Sequence, residues 1–515
     1  MKDKSDSCIK KVKKQPFGAA FDLEFYLEKS VKIDYHNPIM SEPEYQATIG
    51  LEIHAELKTH TKMFCDSLND PNETRPNVNV CPVCMGHPGT LPVPNKQAIE
   101  YVIKVGLALG SEISGVTKFD RKNYFYPDIP KAYQISQYDK PIVKGGMLRG
   151  VRITRVHLEE DTGTLSHVGG VSLVDYNRAG VALMELVTEP DLRSADEVAE
   201  FARELQRILR YLGVSDANME KGEMRIEANI SLNMGTKAEV KNINSFKAVH
   251  DAVEYEIARQ TEVLKSGGKL VQETRGWDEA KQSTFSQRSK ESAHDYRYFP
   301  EPDMPPFETS VFDIAALHES LPELPEAKRV RFIKEYNLDA KAADAMADEP
   351  AMANYFEAAV SEYRESVPNG DPAIIYNYLT SDLRGLMKQA DVPFVGSNGY
   401  GGATLKISPE HLAHLASLIF ADKITSRQAK DMLWKMFETG DDPEVIVKNE
   451  DIGLSDTEEV EKMVLAVIAE NAAAVADYKK GKIASLQFMI GKAMGRLNGR
   501  AKPDMLKALF EKNLQ

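Results

Sequence analysis

The run Glu52-Ile53-His54-Ala55-Glu56 lies inside a longer stretch, Ile49–Lys58, in which apolar and polar residues alternate. Side chains at every second position of a strand project from one face, so two carboxylates and an imidazole converge. Hard oxygen donors with one histidine suit Mg²⁺ or Mn²⁺, although an exposed polar strand face reads the same way. A second acidic cluster, His157-Leu158-Glu159-Glu160-Asp161-Thr162-Gly163, ends a strand at a glycine turn. Three adjacent acids repel one another unless a cation, Arg or Lys neutralises them; a solvated acidic turn is the alternative. Glu185 within Val181–Val187 and Glu239 within Ala238–Lys241 stand in apolar, strand-like runs. A charge there is seldom buried unless it is paired or metal-bound. Together these residues describe a polar groove able to hold metal ions and phosphates.

Cys81-Pro82-Val83-Cys84, with Cys65 upstream, is a good half of a zinc site. A closed structural site needs four ligands, and Asp66 or His87 could complete it; three unmetallated thiols are the alternative. Two aromatic-basic stretches, Phe119–Asp128 and His294–Asp303, could stack a base or adenine, or pack a core with ion pairs. No Gly-x-x-x-x-Gly-Lys-Ser/Thr run is present, nor Gly-x-Gly-x-x-Gly after a strand, so any ATP must be held through metal-bound phosphates. No Ser/His/Asp or Cys/His constellation marks an amidase, so ammonia, if used, comes from another chain.

The elements that must position these groups are of two kinds. Up to about Glu301, strands interleave with helices without a regular βαβ rhythm, which reads as α+β. Asn95 caps a helix that buries Ile99, Val102, Ile103 and Leu107, and Ser194 with Glu197 forms a capping box ahead of Val198, Phe201, Leu205 and Ile208. Arg225, Glu227, Asn229 and Ser231 alternate with Ile226, Ala228, Ile230 and Leu232 as in a half-buried strand. Past Pro302–Pro306 the pattern is helical, with a glycine-rich loop at Gly396–Gly402, a capping box at Ser455 and Glu458, and a break at Asn498–Pro503. The expected boundaries are an N-terminal extension at 1–44, an α+β body at 45–306, a helical domain at 307–445 and a helical tail at 446–515.

The 515-residue chain has a net charge of −14, yet Lys479–Gln515 carries nine Lys or Arg against two acids. An acidic body with a basic tail fits a carboxylate-rich core joined to a polyanion-binding appendage, or a solvated basic helix face. No apolar run approaches the ~18 residues of a membrane span, and no signal core follows the basic N-terminus. Three of the four cysteines cluster, which favours a reduced compartment. These features predict a cytoplasmic protein with no membrane association.

The runs IGLEIHAEL at 49–57, CPVCMGHPGTLP at 81–92, FDRKNYFYPD, HLEEDTG, VDYNRAGVALMELVTEPD at 174–191, EVKNINSF at 239–246 and DYRYFPEPD at 295–303, with the tail segment GKIASLQFMIGKAMGRLNGRAKPDML, resemble the B subunit of the bacterial aspartyl/glutamyl-tRNA amidotransferase. The resemblance covers roughly 45–515. It implies a cradle-shaped catalytic domain related to glutamine synthetase, with a mixed sheet, followed by an all-helical domain and a small helical tail that hold tRNA. It implies phosphorylation, with ATP and Mg²⁺, of the side-chain carboxylate of a mischarged aminoacyl-tRNA. Ammonia then comes from a partner amidase, the A subunit, in a complex that also has a small C subunit. Carried onto this sequence, it assigns Glu52, His54, Glu160, Glu185 and Glu239 to the metal-phosphate site, with Glu159 in reserve, and Arg225 and Lys241 to phosphate neutralisation. Lys492, Arg496 and Arg500 are the expected tRNA-binding residues. Zinc-bearing members read Cys-x-Cys before the CPVC pair, whereas this chain has Cys65-Asp66-Ser67, so Cys65, Cys81 and Cys84 form an incomplete structural Zn²⁺ set. A tRNA-holding scaffold and a self-sufficient ammonia-using amide ligase are the rival readings.

Overall fold

The computed structural model describes residues 45–289, 296–392, 405–450, 457–497 and 500–514. The expected extension at 1–44, the Gly396–Gly402 loop, Ser455, Asn498–Gly499 and the His294–Asp295 start of the second aromatic stretch lie outside them. Nine strands matter for the site: β1 (Ala47–Glu56), β2 (Asp120–Asn123), β3 (Tyr133–Ser136), β4 (Val151–Glu160), β5 (Ala182–Thr188), β6 (Met224–Leu232), β7 (Ala238–Ile243), β8 (Glu273–Asp278) and β9 (Ser283–Ser289). The period-two run becomes β1, with Ile49, Leu51, Ile53 and Ala55 fully buried and Glu52, His54 and Glu56 half-buried on the other face.

β1 lies near the middle of a ten-stranded sheet ordered β9-β8-β7-β6-β1-β5-β4, continued by the short pairs Val143–Lys144 and Glu112–Ile113. Neighbours are antiparallel except β7 and β8, which are parallel. A parallel pair needs a long crossover, and helix α3 below supplies it. The body is thus α+β with a mixed sheet.

Helices α1 (Lys96–Ala108), α2 (Ala195–Tyr211) and α3 (Phe246–Lys265) all begin at side-chain caps: Asn95, Ser194 and Ser245. The second cap differs from the expected box. Ser194 Oγ accepts from Glu197 N, but the Glu197 carboxylate reaches past Ser194 to Arg193 N (2.7 Å). α1 packs on β4 and α3 on β6 and β7, and α2 packs along α3. The apolar side of the sheet is therefore covered by helices, and the polar side is left open.

One buried charge ties the crossover together. Glu256 of α3, with no exposed surface, accepts from Arg259 (2.6 and 2.9 Å), Gln260 (2.9 Å) and Thr284 of β9 (3.0 Å). Arg275 of β8 sits 3.5 Å away and donates to Thr284 and Glu273.

A smaller sheet of Phe299–Pro300, β2 and β3 forms a wall beside the main one. Further along the chain, α4 (Pro325–Tyr336), α5 (Ala340–Asp348), α6 (Pro350–Ser366), α7 (Pro409–Phe420) and α8 (Ser426–Thr439) share an apolar core that includes Phe332, Phe356, Tyr363 and Met432. Arg329 of α4 donates to Glu204 of α2 at 2.7 Å, both buried. A separate cluster, Val460, Val464, Leu486, Met489, Leu506 and Phe510, unites α9 (Thr457–Glu470), α10 (Ile483–Arg496) and α11 (Pro503–Leu514). Among the described residues no helix is long and apolar enough to cross a membrane.

Candidate active site

The open face of the main sheet floors a groove of about 870 Å³. Register decides what lines it. His54 of β1 stands opposite Glu185 of β5, and Glu185 opposite His157 of β4. Toward the other edge, Glu52 stands opposite Glu227 of β6, and Glu239 of β7 opposite Asn229. Residues far apart in sequence thus form two triads, each with ligand atoms within 4.8 Å of one another: His54, Glu159 and Glu185, and Glu52, Glu227 and Glu239.

The first triad is rich in positive partners. His54 Nε2 lies 3.3 Å from Glu185 and 3.9 Å from Glu159, and His157 Nε2 lies 3.5 Å from both carboxylates. Lys122 of β2 reaches within 3.7 Å of Glu159, and Arg155 within 3.8 Å of Glu185. Burial alone would raise the two carboxyls, but Lys122, His157 and His54 hold Glu159 well below the usual range. For Glu185, His157 and His54 likewise outweigh burial, and its carboxyl is held at about 2. Burial opposes the charge on His54, yet its hydrogen bond to Glu185 and the surrounding acids raise it.

The second triad is poorer in positive charge. Lys241 Nζ bonds Glu227 at 2.7 Å and lies 3.5 Å from Glu239. Asn229 donates to Glu52 Oε1 at 3.0 Å, while its own buried Oδ1 has no partner among the described residues. Burial, and then the charges of Glu185, Glu227 and Glu239, raise the Glu52 carboxyl. This all-oxygen set beside an unpartnered amide oxygen suits a hard divalent cation such as Mg²⁺. The first set, with its imidazole, suits Mg²⁺ or Mn²⁺.

Of the expected cluster, Glu52, His54, Glu185 and Glu239 share the groove, but Glu160 does not. Glu159 and Glu160 are consecutive on β4, so they face opposite sides of the sheet. Glu160 forms an ion pair with Lys131 and accepts from Ile135 N at 2.9 Å. Glu159, the reserve, takes the groove position. Glu56 also stands apart. Burial and then the Asp161 charge push its carboxyl up to about 8 against Arg178. Arg225 lines the groove but bonds Asp161 at 2.9 Å. Sequence reasoning missed Glu227, His157 and Lys122. Glu227 was within reach, because the β6 alternation that contains Arg225 and Asn229 puts it on the same face.

Cys65, Cys81 and Cys84 come within 4.8 Å of one another, with no fourth cysteine, histidine or carboxylate in the group among the described residues. The expected fourth ligands, Asp66 and His87, are both exposed, and Ser67 Oγ lies 4.0 Å from Cys84 Sγ instead. Cys84 also accepts from Cys81 N at 3.1 Å. The hydrogen bond from Cys65 outweighs burial and brings the Cys84 thiol down to about 4. Fully buried Lys62 donates to Ala179 O at 2.7 Å, with its ammonium 3.9 Å from Cys84 Sγ. Gly180, at φ +85°, lets the chain pass this cluster, since a Cβ there would stand 3.3 Å from Cys84 Cβ. Three sulfurs fit zinc, but a closed site needs a fourth ligand.

In the tail, Lys492 donates to Asn471 Oδ1 at 2.8 Å and Arg496 to Glu470 at 2.9 Å; the Lys492 and Arg496 side chains are exposed, and Arg500 is half-buried.

The profile described as the GatB/GatE catalytic domain matches residues 47–313, and that described as the GatB domain matches 354–514. The B subunit of the aspartyl/glutamyl-tRNA(Asn/Gln) amidotransferase of Carboxydothermus hydrogenoformans is 44% identical over 491 residues, covering 92% of this chain and 99% of the relative. Proteins of the same name from Dehalococcoides mccartyi (44% over 495 residues, 92% and 99%) and Thermomicrobium roseum (45% over 491 residues, 92% and 99%) are similar in extent. With the catalytic-domain profile spanning the whole groove and the likeness running the length of these relatives, the chain belongs to the GatB/GatE family.

Proposed function

We propose that this chain is the ATP-using component of a tRNA-dependent amidotransferase, acting on the side-chain carboxylate of Glu-tRNA(Gln), Asp-tRNA(Asn) or both. The observation that carries the reading is the pair of carboxylate triads on one open sheet face, with Lys122, Arg225 and Lys241 beside them. The relatives' names supply the substrate class.

A carboxylate is a poor electrophile because its charge repels nucleophiles. In the proposed reaction its oxygen attacks the γ-phosphorus of ATP, the bond from that phosphorus to the β–γ bridging oxygen breaks, and ADP leaves. Ammonia then attacks the acyl carbon, inorganic phosphate departs, a proton is lost and the amide remains. Phosphoryl transfer needs positioning and charge neutralisation more than covalent help from the protein. Glu52, Glu227 and Glu239 would hold one Mg²⁺, and His54, Glu159 and Glu185 a second. When bound, such cations neutralise phosphate oxygens and orient them for in-line displacement. Lys241 and Arg225 offer their charges to phosphate oxygens, and Lys122 keeps Glu159 ionised.

Ammonia is supplied by the amidase, the A component of a complex whose small third component is C, since this sequence has no amidase constellation of its own. Residues 45–306 act as a glutamine-synthetase-like cradle, while 307–445 and the 446–515 tail, with its basic Lys479–Gln515 segment, hold the tRNA, with 1–44 an extension; separate apolar cores after residue 325 support that division. Cys65, Cys81 and Cys84 would hold a structural Zn²⁺ as three of its four ligands, and the compartment is the cytoplasm.

The test is ATP hydrolysis by the assembled complex, with and without mischarged tRNA, for wild type, His54→Ala and Glu185→Gln. Wild type should require the mischarged tRNA, and both variants should collapse. Full activity in both variants would remove the first triad from the chemistry, and wild type without ATP use would leave a tRNA scaffold.

A further inference from the structure

The groove has a side wall that phosphoryl transfer does not use. Tyr124, Tyr138, Tyr296 and Tyr298, carried by or next to the small sheet, line it. Tyr138 and Tyr298 lie face to face, with ring centroids 4.5 Å apart and planes 15° from parallel. Tyr296 meets Tyr298 edge-on at 6.1 Å and Tyr124 at 5.9 Å, and Lys122 Nζ lies 5.3 Å from the Tyr296 centroid. Four rings are thus locked into one relative orientation.

An aromatic cluster of this kind ordinarily belongs to a core. Here Tyr138 is 57% exposed, and Phe125 and Tyr126, which follow Tyr124 in the chain, are 85% and 59% exposed. Large aromatic surface left in water beside a polar groove marks a binding surface. The fixed stack leaves little rotamer freedom to lose when a flat ligand settles on it. The nearest cations and carboxylates lie in the groove itself, so a ligand of the wall would have a flat apolar part and a charged part.

We propose that the Tyr138–Tyr298 stack is the seat of a purine base. This rests on the function proposed above, which brings two purines to the groove: the adenine of ATP and the 3′-terminal adenosine of the tRNA. Both present the same chemistry, a π face joined through ribose to phosphate. Base–tyrosine stacking tolerates either and needs no hydrogen-bond code.

Two fluorescent probes separate the sources: 2-aminopurine riboside triphosphate, and tRNA whose 3′-terminal residue is 2-aminopurine. Each is titrated with the assembled complex, and stacking on tyrosine quenches the fluorophore. Quenching of the triphosphate assigns the stack to the nucleotide; quenching of the tRNA assigns it to the terminal adenosine. In either case Tyr138→Leu should abolish the quench, and Tyr138→Trp, which keeps a stacking face, should preserve it. The KM for the assigned substrate should rise roughly ten-fold in Tyr138→Leu, with a much smaller change in kcat. The proposal is overturned if neither probe is quenched, or if Tyr138→Leu quenches as wild type does. A complex that quenches a probe but shows no tRNA-dependent ATP use would retain the stack and sink the amidotransferase reading instead.

Discussion

Glu256 and Glu52 are both acids drawn into the body, and the molecule treats them in opposite ways. Glu256 is enclosed and receives hydrogen bonds from Arg259, Gln260 and Thr284, with Arg275 close by. Glu52 faces Glu227 and Glu239 across neighbouring strands, and Lys241 pairs with Glu227 and Glu239 rather than with Glu52. A buried charge saturated with donors holds structure together; one short of them is repelled by its neighbours until a cation arrives. The contrast separates an acid that holds the fold from the acids proposed to hold cations.

Breaking each side of the comparison should give opposite readouts. The largest effect is expected in the groove: Glu185→Gln and His54→Ala should lower kcat for amide formation by about 10²–10⁴-fold, the usual range for removing a positioned electrostatic or acid–base group. Their urea midpoints should stay close to wild type, and a comparable loss of stability would place these residues with Glu256. Conversely, Glu256→Ala strands Arg259 and Arg275 and should cost about 3–5 kcal/mol in urea unfolding. The activity of the molecules that remain folded should not change. Magnesium sharpens the distinction. At 100 times its dissociation constant it should add about 2.7 kcal/mol to wild-type stability. Glu227→Gln should lose much of that gain, whereas a full gain would exclude the second triad as a cation site. The smallest effect lies in the tail. Substituting Lys492 or Arg500 by alanine should flatten the log–log salt dependence of tRNA binding by about 0.7–0.9 for each phosphate no longer neutralised. Arg496, its charge already paired with Glu470, should matter less than Lys492, which donates to a neutral amide, and an unchanged slope in all three would exclude this face.

The polar face of β1 was legible because period two needs only its own strand. Which of Glu159 and Glu160 faces the groove was not, because the frame of β4 is set by pairing with β5, which lies beyond the Gly163 turn. The β6 alternation gave the face of Glu227 but not its partner: that it stands opposite Glu52 is a register that no local pattern records. Lys122 and His157 look like ordinary polar residues until the small sheet folds against the large one. The parallel β7–β8 pair was hidden as well, since short strands flanking a helix read alike in either direction. The thiol cluster was visible from spacing, but the hydroxyl of Ser67, rather than Asp66 or His87, lies against it.

The central place of β1 has a consequence for how the chain is made. Its sheet partners, β5 and β6, end at residues 188 and 232, so the first strand among the described residues waits longer than any other strand of the main sheet to be flanked on both sides. At about 5–20 residues per second, its apolar edge waits roughly ten to thirty seconds for both neighbours. During synthesis a strand from the middle of the finished sheet is therefore the chain's most adhesive segment. Nascent chains arrested before residue 232 should be the ones that chaperones hold and that aggregate when released.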